Sequence, residues 1–120
     1  MLTKELPESS WGEFLMDFSK SNEGKAVKVS AQFKEGSIRT LGQNKLITFE
    51  GDCTGDVWER VKVAIGDMEG GSPDALFHTV TFPKSIVVEE NNNGTIAKLS
   101  LEDDSGIKTL LEPVDTELTV

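Results

Sequence analysis

The chain has 120 residues, of which 37% are hydrophobic, and a formal net charge of −9. This length favours a single domain with its own core, and the composition excludes general disorder. The excess of acidic residues disfavours nucleic acid and anionic membrane surfaces as partners. The single cysteine, Cys53, cannot form an internal disulfide, and no apolar run reaches the length of a membrane span. We therefore expect a soluble, cytoplasmic protein with one domain over residues 1–120.

The first expected elements are an extended lead-in over residues 1–8 and a short helix over residues 9–20. Four apolar residues recur at helical spacing and form one stripe: Trp11, Phe14, Leu15 and Phe18. Ser10 stands at the capping position, and Glu13 is placed to complete a capping box. Because so short a helix does not persist alone, we expect it to dock on a sheet.

Strands are expected throughout residues 25–114, because apolar and polar side chains alternate along most of this region. The clearest example covers residues 25–33. A second strand begins at Ile38, bends near residues 42–44 and continues to Phe49, before a loop over residues 51–56. Further strands are expected at residues 58–65, 76–82, 85–90, 95–102 and 107–111.

Turn signals divide the second half of the chain. Residues 66–74 are rich in glycine and acidic residues and predict a mobile loop. Pro83 predicts a corner, and the segments Asn91–Gly94 and Asp103–Gly106 predict hairpin turns. Residues 115–120 are expected to form a flexible tail.

Together these elements predict a mainly β (α+β) fold. One N-terminal helix is followed by five to seven antiparallel strands in a small barrel or a strongly bent sheet. Closure into a barrel is attractive because an open sheet leaves two unprotected edges. A helix followed by five strands is also the order of Sm-like barrels, so an Sm/SH3-like barrel is one form this fold could take, by analogy of fold alone.

Three segments carry a resemblance that spans nearly the whole chain. They are Glu5-Leu6-Pro7 with Trp11, Phe14 and Asp17-Phe18-Ser19; His78-Thr79-Val80 before Pro83; and Asp104-Ser105-Gly106 with Thr109-Leu110-Leu111. In these segments the chain resembles a family of short, uncharacterised prokaryotic proteins known only as a domain of unknown function. The resemblance does not extend to residues 42–55. It implies one complete domain and brings no reaction, ligand or functional residue with it.

No catalytic or cofactor motif stands out. His78 is the only histidine, and its neighbours Leu76 and Val80 suggest that it shares their face of a strand. A metal site would require further histidine or cysteine ligands, and the chain offers only Cys53, whose acidic neighbours disfavour a reactive thiolate. We expect no catalytic residue, no metal and no cofactor.

A basic segment is the main departure from the acidic character of the chain. Residues 20–45 carry six basic and two acidic side chains, whereas the rest of the chain has a net charge of −13. Lys28 and Lys34 fall on one polar face of the first long strand, and a hairpin could bring Arg39 near them. A solvated sheet face explains these residues, and so does a contact site for an acidic surface, such as the C-terminal half of another copy.

Three functions remain open at this stage. The preferred one is a non-enzymatic, β-rich protein-interaction or self-assembling module, with Lys28, Lys34 and Arg39 as binding residues. The second is a small-molecule-binding protein or minor enzyme with a pocket between helix and sheet near His78. The third is an Sm-like RNA binder, which the net charge of −9 disfavours.

Overall fold

The computed structural model of the protein describes residues 2–55, 57–66 and 75–114. A 3-10 turn at Glu8–Ser10 precedes helix α1, Trp11–Asn22. The strands are β1 (Leu2–Glu5), β2 (Ala26–Gln32), β3 (Ile38–Thr54), β4 (Val57–Ile65), β5 (Leu76–Thr81), β6 (Ser85–Glu90), β7 (Ile96–Glu102) and β8 (Lys108–Pro113). They pair antiparallel in one eight-stranded sheet of order β1-β6-β7-β8-β2-β3-β4-β5. The mainly β prediction with one N-terminal helix is confirmed, although the strands exceed the expected five to seven.

The sheet is not closed, so of the two predicted alternatives, a small barrel and a strongly bent sheet, no barrel is shown. Strands β1 and β5 lie at its two ends, and no ladder joins them within the described residues. The corner between β5 and β6 contributes to this result. Phe82 has φ of 48° and Pro83 lacks an amide donor, so the chain turns away from β5 instead of pairing with it.

The sheet nevertheless bends strongly. In sheet order, β2, β3 and β4 separate β5 from β8. A flat sheet would hold β5 about 19 Å from β8, because neighbouring strands are about 4.8 Å apart. His78 Nε2 on β5 is in fact 2.9 Å from Thr109 Oγ1 on β8. The sheet therefore folds back over its own inner face, and that face holds the core.

The core is formed by the apolar side chains of this inner face and of α1. Its fully buried members include Leu15, Val27, Val29, Leu46, Ile65, Ile86, Leu99, Leu101 and Leu111. Helix α1 packs on β3 and β4 through two aromatic pairs: Phe18 contacts Phe49 of β3 and Trp11 contacts Trp58 of β4, each at a ring-centroid distance of 5.6 Å. Gly51 makes this packing possible, because a Cβ there would lie 2.2 Å from Trp58 Cζ3.

The N-terminal segment differs from its prediction in three respects. Residues 2–5 of the expected lead-in form β1, which pairs with β6. Helix α1 begins at Trp11 and ends at Asn22, two residues later at each end than predicted. The predicted capping box is wrong, because no side chain caps α1 and the Ser10 hydroxyl donates to the carbonyl of Pro7 at 2.8 Å.

Strand β3 is longer than the sequence suggests. Its 17 residues run through Gly42 and through most of the loop predicted at residues 51–56, and Gly55, just after the strand, has φ of 61°. The expected bend is present as an irregularity in the pairing of β2 with β3, near Val29 and Ser30. Pairing with β4, with a register shift between Asp52 and Cys53, keeps residues 51–54 extended despite their loop-like composition.

The later strands follow their predictions closely. Strand β6 matches residues 85–90, and both predicted hairpins join antiparallel neighbours. Strands β5 and β8 begin and end within two residues of the expected positions. The predicted mobile loop and the predicted flexible tail lie outside the described residues, apart from the loop's first residue, Gly66.

Candidate functional site

The basic residues singled out in the sequence do not share one surface. Lys28 lies on β2 opposite Gln43 and Glu112. Arg39 lies opposite Ala31, which is buried. Because residues an odd number apart in a strand face opposite sides, Lys28 and Arg39 belong to different faces. Lys34 follows the end of β2, and its side chain runs beside the backbone of Gly106.

The side chain of His78 connects β5 to β8. As predicted, it shares a face with Leu76 and Val80, and it lies opposite Val63 of β4. Its Nε2 contacts the hydroxyl of Thr109, a residue that is only 3% exposed. Burial lowers the pKa of His78 below its ordinary value of 6.5, and the negative charge of Asp103 opposes this shift. The half-buried ring therefore favours its neutral form at neutral pH.

A hollow of about 380 Å³ lies between α1 and β3, where the sequence predicted a pocket. Its lining is mainly apolar and includes Leu15, Met16, Phe49 and Trp58, but His78 is not part of it. Cys53 is exposed on β3, opposite Trp58. Within residues 2–55, 57–66 and 75–114, no three His, Cys, Asp or Glu side chains are grouped so that they could hold a metal ion.

A polar trough crosses the outer face of strands β6, β7, β8 and β2. Direct cross-strand pairs place four small or apolar residues in a row along its floor: Val87, Ser100, Leu110 and Ser30. Longer polar side chains form its two walls: Glu89, Lys98, Lys28 and Glu112 on one side, and Ser85, Glu102, Lys108 and Gln32 on the other. We call this surface the outer trough. One part of it has a volume of about 400 Å³ and is lined from Glu5 on β1 to Gln32 on β2, without Ser30.

Charges along the outer trough largely compensate one another. Lys98 Nζ lies 3.2 Å from Glu89 Oε2, and Lys28 stands opposite Glu112 in the register. Ser30 is the exception to this pairing of polar groups. It is 1% exposed, and its hydroxyl has no hydrogen-bond partner among the described residues.

The exposed edge of β5 is the other unusual surface. The amide of Phe82 donates to the carbonyl of Glu59 on β4 at 2.7 Å. Hydrogen-bonded pairs alternate along an antiparallel ladder, so His78 and Val80 also direct their backbone groups toward β4. The backbone groups of Phe77, Thr79 and Thr81 consequently point away from the sheet. We call this row of backbone groups the β5 edge.

Large aromatic side chains flank the β5 edge. Phe77 is 76% exposed, and Phe82, just after the strand, is 48% exposed. Phe82 is also the one non-glycine residue with positive φ in the part of the chain that the structure describes. Such a conformation is unfavourable for a bulky residue, and strain of this kind is concentrated at functional positions.

The opposite edge of the sheet differs from β5. Strand β1 carries Lys4 and Glu5, and Lys4 Nζ lies 2.8 Å from Glu90 Oε1. Charged side chains on an edge strand oppose its pairing with another chain. Strand β5 has no Lys, Arg, Asp or Glu and no proline. Among the described residues, β1 is therefore the edge with charged protection and β5 the edge without it.

Comparison of the chain with protein-family models, with curated proteins and with solved structures found no significant match. Among the described residues, no helix combines the length and the apolar character that crossing a membrane requires.

Proposed function

We propose that this protein is a non-enzymatic interaction module that binds protein by adding a strand at the β5 edge. The observation that carries the proposal is the combination of outward-facing backbone groups at Thr79 and an uncharged strand with an exposed Phe77. An extended partner would gain main-chain hydrogen bonds from the edge and apolar contact from the aromatic ring. No covalent chemistry is required of any residue.

The partner surface extends beyond the backbone groups themselves. Phe77, Thr79 and Thr81 alternate on the outer face of β5, and all three are exposed. A bound strand would place every second side chain beside them, at cross-strand distances of about 5 Å. Specificity would therefore come from residues that pack against Phe77, and affinity from the edge.

A probe strand tests this function directly. A capped synthetic peptide with the sequence of residues 76–81 is titrated into the isotope-labelled protein, and amide NMR shifts are followed. We expect saturable changes at Phe77, Thr79 and Thr81. The control is the same peptide with proline at its fourth position, which removes a central donor and should bind much more weakly. Shifts confined to the outer trough, or none at all, would contradict the proposal.

A second candidate function is the binding of a small polar molecule in the outer trough. It is favoured by the hollow of about 400 Å³ in the outer trough, where the polar side chains of Lys98, Ser100 and Lys108 converge. The test is a thermal-shift screen of metabolites against the protein and its Lys108→Ala variant, with His78→Ala as the control. A stabilising compound whose effect is lost only with Lys108→Ala would support this function.

RNA binding is the least favoured of the three functions. Lys98 and Lys28 each face a glutamate, which neutralises the positive charge that an RNA strand would require.

We further propose that the protein acts in the cytoplasm. Its single cysteine cannot form an internal disulfide, the bond that is typical of proteins in oxidising compartments. Membership of the uncharacterised family named above remains a prediction.

A further inference from the structure

We infer that the occupant of the β5 edge is a second copy of the same chain, paired antiparallel with the first about a twofold axis at Thr79. This inference rests on the proposed function, because it takes β5 to be the interacting edge. It adds the identity of the partner, the symmetry and the register.

The register follows from the direction of the backbone groups. Thr79 lies at the centre of the three outward-facing residues, so two copies can pair Thr79 with Thr79 across the axis. Phe77 of each copy then lies opposite Thr81 of the other. Each of these three pairs exchanges two hydrogen bonds, which gives about six backbone hydrogen bonds in all. The contact is isologous, and it closes on itself as a dimer of two eight-stranded sheets.

The charge distribution makes β5 a place where two copies can approach each other. Each copy carries −9, so most surfaces of two copies repel one another. Strand β5 contains no Lys, Arg, Asp or Glu, and the pairing therefore places no ionised carboxylates opposite each other. In this register His78 lies opposite Val80 of the other copy, which also avoids a direct pair of histidines.

The same comparison disfavours the two other modes of self-association. Pairing through β1 would bring Lys4 and Glu5 to the new ladder and disturb the ion pair of Lys4 with Glu90. Docking of a basic patch on an acidic surface would require Lys28 and Arg39 on one face, and the register separates them. A contact of one strand from each copy is smaller than a standard interface of about 1,600 Å². The dimer should therefore be weak, with dissociation in the micromolar to millimolar range.

Ionic strength separates the β5 dimer from charge-driven assembly. Salt screens the repulsion between two acidic copies, so the fraction of dimer in sedimentation velocity should rise with added salt. Association between complementary charges would weaken instead. Alanine at Lys28, Lys34 and Arg39 should leave the β5 dimer intact.

Matched proline variants identify the edge. Thr79→Pro removes an outward-facing donor from β5 and should weaken the dimer about tenfold or more. Thr3→Pro makes the same change on β1. The amide of Leu6 donates to the carbonyl of Ile86, so by alternation the backbone groups of Thr3 point away from the sheet. This control variant should have no effect on the dimer. If Thr79→Pro fails to fold, Thr79→Lys places a charge at the axis and keeps the backbone donor.

Crosslinking tests the register. In a Cys53→Ser background, Thr79→Cys should form a covalent dimer on mild oxidation, because residues paired across an axis have Cα atoms about 5.5 Å apart. Thr3→Cys in the same background should not. A crosslink at Thr3 but not at Thr79 would overturn the inference. A protein that stays monomeric at millimolar concentration in high salt would also overturn the inference. If the probe peptide still bound β5 in that case, the proposed function would be retained.

Discussion

His78 Nε2 on β5 lies 2.9 Å from Thr109 Oγ1 on β8, although three strands separate β5 from β8 in the sheet. This contact joins the inner faces of two strands that the bend brings together over the core. It also positions the edge strand whose outer side we propose as the interaction surface.

Replacing Thr109 with valine should destabilise the fold. The change keeps the β-branched shape but leaves the half-buried ring nitrogen of His78 without its partner, at a cost of about 1–3 kcal/mol. Urea unfolding measures the difference. Thr40→Val, on the exposed part of β3, is the control and should change the free energy of unfolding by less than about 0.5 kcal/mol. Equal effects of the two variants would contradict the bridging role of Thr109.

His78 should make stability depend on pH in the acidic range. Because burial lowers its pKa in the folded state, the unfolded chain binds a proton more readily as the pH falls through 6.5. The free energy of unfolding should therefore decrease from that pH downward until the lower, folded-state pKa is passed. Comparison with His78→Gln isolates this contribution, since the carboxylates are the same in both proteins. The stability advantage of the wild type should become smaller as the pH falls, and an increase would contradict the assignment.

Gly51 and Gly12 make a matched pair beside Trp58. Gly51→Ala should destabilise the protein by about 1–3 kcal/mol, because the new Cβ would lie 2.2 Å from the indole. Gly12→Ala places its Cβ 3.9 Å from the same ring and removes a glycine from α1, so it should stabilise by up to about 1 kcal/mol. Thermal unfolding and the near-ultraviolet circular dichroism of the tryptophan pair check both expectations. Equal destabilisation by the two variants would contradict the expectation that the distance of the new Cβ from Trp58 decides the effect.

Removal of the Ser30 hydroxyl should stabilise the free protein. The group is buried without a partner among the described residues, and Ser30→Ala should recover about 1 kcal/mol. Ser100→Ala, on the same floor of the outer trough, should have less effect because Ser100 is only half-buried. A loss of stability in Ser30→Ala would show that the hydroxyl has a partner, such as an ordered water.

The strands were predictable from sequence where alternation and turn chemistry agree. Strand β6 and the turns at Asn91–Gly94 and Asp103–Gly106 have both signals and were predicted well. Residues 51–54 look like a loop but form a strand, since pairing with β4 outweighs their weak local preference. The predicted capping role of Ser10 is wrong for a local reason. Its hydroxyl donates to the nearby carbonyl of Pro7 instead of capping the helix.

The candidate site was only partly predictable. The sequence drew attention to His78 and placed it correctly beside Leu76 and Val80. It gave no indication that β5 is an unprotected edge, because strand order depends on pairings between residues distant in the chain. The row formed by Ser30, Leu110 and Ser100 likewise depends on the register of three strands. An uncharged strand with Phe77 at an alternate position was the one available signal for the edge.

Amide hydrogen exchange at Thr79 tests the central claim most directly. The Thr79 amide points away from β4, whereas the amides of His78 and Val80 donate within the sheet. In dilute protein we predict rapid exchange at Thr79 and slow exchange at its two neighbours. In concentrated protein at high salt, or with the probe peptide bound, exchange at Thr79 should become slow. A Thr79 amide that exchanges equally fast under all these conditions would contradict the role of β5 as the interaction edge.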